Sequence, residues 1–108
     1  MENILSRLEE AERLAKQGKV RDMETALILA NCAADKQNID ISDAVQKIEE
    51  SGYRTGAAVQ LFDAYKIANS DTPRLTQLEE HLGMARYCAD QAKVDISDQV
   101  ERIKGIVF

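Results

Sequence analysis

The chain is predicted to be all-α, a six-helix bundle made by tandem duplication of a three-helix unit with pseudo-twofold symmetry. Three observations predict it. Ala, Leu, Glu, Gln, Asp and Lys are abundant while proline occurs once and tryptophan not at all, apolar residues recur at three- and four-residue spacing, and one stretch repeats at a shift of 55 positions. With 108 residues the chain falls in the range of one domain with one core, here read as a single helical domain over 1–108 with units at about 3–52 and about 55–105.

The first helix is predicted over about residues 3–17, where Ile4, Leu8, Ala11, Leu14 and Ala15 share a face and Gly18 offers a left-handed stop. The second should start at Asp22 as N-cap and run to about Gln37. It is apolar nearly all round, through Met23, Ala26, Leu27, Ile28, Leu29, Ala30, Cys32, Ala33 and Ala34, and is expected to be the most buried. Asp40 is expected to cap a short third helix with the stripe Ile41, Val45 and Ile48, closed by Gly52. The fourth should begin after Thr55 and run to Asn69, burying Ala58, Leu61, Phe62, Tyr65 and Ala68.

The run Asn69, Ser70, Asp71, Thr72, Pro73 is the clearest punctuation in the chain. Thr72 as N-cap and Pro73 in the first turn suit the start of a fifth helix, carried to about Ala92 by Leu75, Leu78, Leu82, Ala85, Ala89 and Ala92. Asp95 is expected to cap a sixth, with Ile96, Val100 and Ile103 inward and Gly105 at its end, leaving Ile106, Val107 and Phe108 as an apolar tail.

The repeat is explicit. Residues 23–50 laid over 78–105 match at 11 of 28 positions: Glu24, Leu27, Ala30, Ala34, Asp35, Asp40, Ile41, Ser42, Asp43, Val45 and Ile48 recur 55 residues later. The matches fall on the expected core stripes and on one cap motif, so they follow packing rather than shared composition. The first and fourth helices correspond only in position and periodicity. The segment from Ala11 to Ala34, two helices turned around Gly18, resembles a tetratricopeptide-type hairpin in outline. Most of that family's aromatic and small-residue pattern is missing, however, and Met23 stands where a small alanine would be expected, so no family is assigned.

Charge excludes one class of partner. Nineteen acidic residues outnumber 14 basic ones, with −3 over residues 1–54 and −2 over 55–108, so neither half offers the positive face that nucleic-acid phosphates require. No apolar run is long enough to span a bilayer, and the first residues lack the layout of a signal peptide. A cytoplasmic protein is expected, with Cys32 and Cys88 as two free thiols serving as small core residues.

Sites of chemistry are few. The repeated Asp-Ile-Ser-Asp at 40–43 and 95–98 offers carboxylates and a hydroxyl, yet its place at the start of a helix explains it as a cap, and a calcium loop would need more ligands and a glycine turn. His81, Met84 and Cys88 lie on one side of the fifth helix but form an incomplete ligand set. Glu79, Glu80 and His81 carry no convergent partner by motif, and Arg13, Lys16, Lys19 and Arg21 around the first turn are diluted by Glu12 and Asp22. No catalytic, cofactor-binding or metal-ligating residue is therefore assigned. The expected function is a noncatalytic protein–protein interaction module, for another protein or for a second copy as a homodimer. Its candidate contact residues are Ile28 and Cys32, which stand where the second copy of the repeat has Gly83 and Tyr87, and the tail Ile106, Val107 and Phe108. The alternative is a bundle binding a small molecule or metal between the second and fifth helices.

Overall fold

Two helical hairpins joined through one long shared helix, with a fifth helix laid against the second hairpin, make up the protein. The computed structural model describes residues 2–108, and among these the elements are α1 (Glu2–Lys16), α2 (Val20–Lys36), α3 (Ser42–Ala68), α4 (Leu75–Ala92) and α5 (Ser97–Val107), with no strand. α1 pairs with α2 and α3 with α4, while α1 and α5 both lie along α3. The result is elongated, 53 × 23 × 17 Å, as expected when one helix of 27 residues, about 40 Å long, runs through both halves.

The main correction to the sequence-based expectation is that long helix. Six helices were expected because Gly52 was read as a stop, whereas the chain continues helically from Ser42 through Gly52 and Gly56 to Ala68. The two glycines are one helical turn apart and serve close approach. A Cβ on Gly52 would collide with Met23 Sδ and sit 3.2 Å from Ala15 Cβ; one on Gly56 would sit 2.5 Å from Val20 Cγ2 and 3.1 Å from Cys88 Sγ. Glycine costs a helix about 1 kcal/mol against alanine, and packing of the neighbouring helices outweighs it.

Two apolar clusters result. The first gathers α1, α2, the N-terminal half of α3 and part of α4, around Leu14, Met23, Leu27, Val45, Ile48 and Cys88. The second gathers Ala64 and Ala68 of α3, Leu78 and Leu82 of α4, and Val100 and Ile103 of α5. Met23, Leu78 and Leu82 are almost fully buried, each contributing about 1.5–3 kcal/mol by leaving water.

The turns follow local chemistry. α1 stops where Gly18 takes φ +71°, and the Lys19 N–H reaches back to the Leu14 carbonyl. α2 and α4 stop alike: Asn38 and Lys93 take φ 55° and 57°, and the Ile39 and Val94 N–H groups donate to the carbonyls of Ala34 and Ala89. Asp40 and Asp95 each accept the N–H and the hydroxyl of the serine two residues on, at 2.9 and 2.7 Å to Ser42 and 2.9 and 2.6 Å to Ser97. These bonds hold both carboxyls below the usual aspartate range. The aspartates thus close the turn before each helix instead of serving as the expected N-caps, positions that Ile41 and Ile96 hold.

Other boundaries moved. α2 begins at Val20 rather than Asp22, because Gly18 completes the reversal within three residues. α4 begins at Leu75, after Arg74 in an extended conformation, so Thr72 and Pro73 belong to the turn. α5 continues through Gly105 to Val107, so the expected tail is the last helical turn. Nor is α2 buried all round: Ile28, Leu29 and Cys32 face solvent, so Cys32 is not a core residue as expected, whereas Cys88 is. In α3 Ala68 is buried and Leu61 packs on the second cluster as expected, but Ala58, Phe62 and Tyr65 of the expected stripe are exposed while Ala57 and Ala64 are buried. Small side chains take that face because it receives large ones from the neighbouring helices, Ala64 and Ala68 lying in one cluster with Leu78 and Leu82 of α4.

The glycines yield a signed prediction. Gly56→Ala is expected to lower stability by about 1–3 kcal/mol through overpacking, against alanine's helix preference. Gly83→Ala on α4, where a Cβ meets nothing within 4 Å, is expected to raise it by about 0.5–1 kcal/mol. Urea denaturation of both variants checks the pair, and a Gly56→Ala protein as stable as the parent would refute the close-approach account.

Candidate functional site

The two halves meet where α2, α3 and α4 converge, and a polar cluster joins them. Glu24 on α2 accepts hydrogen bonds from Tyr53 of α3 and Tyr87 of α4, both at 2.6 Å and both to the same carboxylate oxygen. The tyrosine rings meet edge to face, with centroids 5.9 Å apart and an interplanar angle of 85°. Tyr53 is buried and Tyr87 partly exposed, so the carboxylate reaches inward along the edge of the junction. Burial, then the bond to Glu24, pushes the Tyr53 phenol far above the ordinary tyrosine range; for Tyr87 the bond to Glu24 comes first. Burial and the nearby Glu24 charge also raise the Glu49 carboxyl and the Cys88 thiol. The Cys88 thiol is thus held protonated, as suits a packing residue rather than a nucleophile.

Beside this cluster lies an open groove of about 980 Å³ between the α1–α2 turn, the start of α2, the middle of α3 and the face of α4. Lys19, Arg21 and Asp22 line it from the α1–α2 side and Glu79 and Glu80 from α4, with apolar lining from Val59, Met84 and Cys88. His81 is tied to α3 by a 2.6 Å bond from its Nδ1 to Gln60 Oε1. The groove therefore gathers His81, Met84 and Cys88 as their spacing suggested, and lies between α2 and α4, the second and fifth of the predicted helices. Among the described residues no group of three or more His, Cys, Asp or Glu is placed to hold a metal ion. Arg13 and Lys16, of the same basic cluster, instead face Glu10 and Glu12 at 3.8 and 3.7 Å in exposed pairs, which add little stability.

The candidate contact residues fall in two places. Ile28, 62% exposed, and Cys32 stand one turn apart on α2, and Leu29, 41% exposed, extends their surface. At the end of α5, Ile106 and Phe108 are 45% and 74% exposed, while Val107 packs on the second cluster. Fold-back and outward display thus divide the last three residues between them. The structure does not merge the two groups: α2 belongs to the first cluster and α5 to the second. Sequence reasoning missed other exposed apolar side chains: Phe62, Tyr65 and Leu75 because each was placed on a core stripe, and Leu5, which it did not single out. It also missed Glu24, whose recurrence as Glu79 was the available signal; two tyrosines distant in sequence carried none.

No protein-family model, curated protein or solved structure matches this chain. No helix among the described residues is long and apolar enough to cross a membrane.

The tyrosine pair sets a pH dependence. A phenol whose pKa is higher folded than unfolded contributes stability that is whole below about pH 10 and declines as pH rises beyond it, by at most about 1.4 kcal/mol per unit for each proton. Tyr53→Phe is expected to cost about 1–2 kcal/mol near neutrality and to flatten that alkaline decline. Urea midpoints at about pH 8 and about pH 11 for both proteins test it, and equal declines would show that Tyr53 does not report the junction.

Proposed function

We propose that this chain is a tandemly duplicated helical domain acting as a noncatalytic protein–protein interaction module. Duplication is supported by the 11 matched positions, by the identical Asp40–Ser42 and Asp95–Ser97 turns, and by the paired left-handed residues Asn38 and Lys93. It gains further support from α1 and the C-terminal part of α3, where Leu8, Ala11 and Ala15 are matched in burial by Leu61, Ala64 and Ala68 at a shift of 53. The six-helix form of that duplication then becomes five helices, because the end of one unit and the start of the next share α3.

The observation that carries the interaction reading is the surface of Ile28, Leu29 and Cys32, three apolar side chains at i, i+1 and i+4 on the water-facing side of one helix. Burying such a row on a partner gains about 25 cal/mol per Å² and needs no rearrangement of the core. Ile106 and Phe108 offer a second contact. The groove is wide and open, with its histidine engaged by Gln60 and its thiol held neutral, which suits contact with a chain better than catalysis. Net charge of −5 argues against nucleic acid as the partner, and two unpaired cysteines support a reducing, cytoplasmic setting.

A second reading, a small molecule held between α2 and α4, is favoured by the position of the groove and by its charged lining. The two separate experimentally. Affinity capture with the parent and with Ile28→Glu is expected to recover a protein whose yield falls at least about tenfold in the variant and which rebinds the parent when purified. Equal recovery by both, with a rise in melting temperature on adding a small molecule that Glu80→Lys abolishes, would replace the first reading by the second.

A further inference from the structure

Exposed apolar residues in the two halves of the molecule are the sequence counterparts of those that close the junction between them. At that junction Val20 is 4% and Tyr53 5% exposed. Val20 lies against Gly56, as does Cys88, while Met84 packs on the first cluster and Tyr87 meets Glu24. Fifty-five positions on, Val20 and Tyr53 become Leu75, 46% exposed, and Phe108, 74% exposed. Fifty-five positions back, Met84 and Tyr87 become Leu29, 41% exposed, and Cys32, also exposed. Within the described residues one surface therefore carries the donor half of the junction without a receiver, and another the receiver half without a donor.

We propose that copies of this chain associate end to end, the surface around Leu75 and Phe108 of one copy docking on the α2 surface around Leu29 and Cys32 of the next. The contact continues the internal junction, and the inference rests on the duplicated-unit reading above. Because the two surfaces differ, it is heterologous and grows into open chains or a ring rather than stopping at a symmetric pair. It is also weaker than its internal template. Asn3 stands in the place of Gly56 and Leu75 in that of Val20, which prevents the closest approach, and Phe108 with Cys32 lacks the two phenol hydroxyls that bind Glu24. Reversible association follows, with Glu79 in the place of Glu24 at the rim.

Light scattering and sedimentation from about 10 µM to about 1 mM test the proposal on the parent, on Leu29→Glu, on Leu75→Glu and on an equal mixture of the two variants. Both substitutions are at exposed positions, and unchanged helical circular dichroism confirms folding. The expected result is a parent whose mass rises with concentration past that of a dimer, variants that stay monomeric, and a mixture that forms dimers, since the intact end of each variant complements the other. A parent that is monomeric throughout, that stops at a dimer, or that associates equally well as Leu75→Glu overturns the proposal. A monomeric parent that still loses a captured protein on Ile28→Glu would remove self-association alone and leave the interaction module standing.

Discussion

The rest of the structure depends on the closeness of α3 to α2 and α4 at Gly52 and Gly56. Where a Cβ is forbidden by Met23, Val20 and Cys88, the helices settle at a separation only glycine permits. That separation brings the α1–α2 turn onto α3, buries Cys88, and sets Glu24 within reach of two tyrosines on different helices. It also explains why α3 stays unbroken. A helix packed on both sides along its length gains more from continuity than it loses by including two residues of poor helix propensity.

Polar chemistry is confined to what that geometry strands at the junction. No charged or polar residue is fully buried among the described residues, and no buried side-chain nitrogen or oxygen lacks a partner. The Glu24 carboxylate is half-buried, and its two phenol donors offset part of the water it gives up. Glu49 faces the same charge without such donors. The cluster thus holds the halves in register with few groups, and the groove beside it remains open because the α1–α2 turn and α4 diverge there.

Helix content, the positions of α1 and α2, the stop at Gly18 and the two Asp-Ser turns were legible in the sequence, since each rests on interactions within a few residues. Gly52 was not, because a glycine that ends a helix and a glycine that admits a neighbour look alike until the neighbour is placed. Phe62 and Tyr65 misled for a related reason: hydropathy ranks them above Ala57 and Ala64, but the spacing of α3 and α4 selects by size. Of the candidate contact residues, Ile28 and Cys32 were found by comparing the two copies of the repeat, a comparison that registers where one copy is apolar and the other is not.

By itself the sequence determined the all-α class and the local turns, because helical periodicity, left-handed stops and aspartate turns are decided by short-range sterics and hydrogen bonding. Tertiary structure alone decided that Ser42–Ala68 is one unbroken helix, which apolar faces are covered, and that Glu24 meets Tyr53 and Tyr87. Those outcomes depend on distances between helices far apart in the chain, and such distances are set by the size of the side chains that happen to meet.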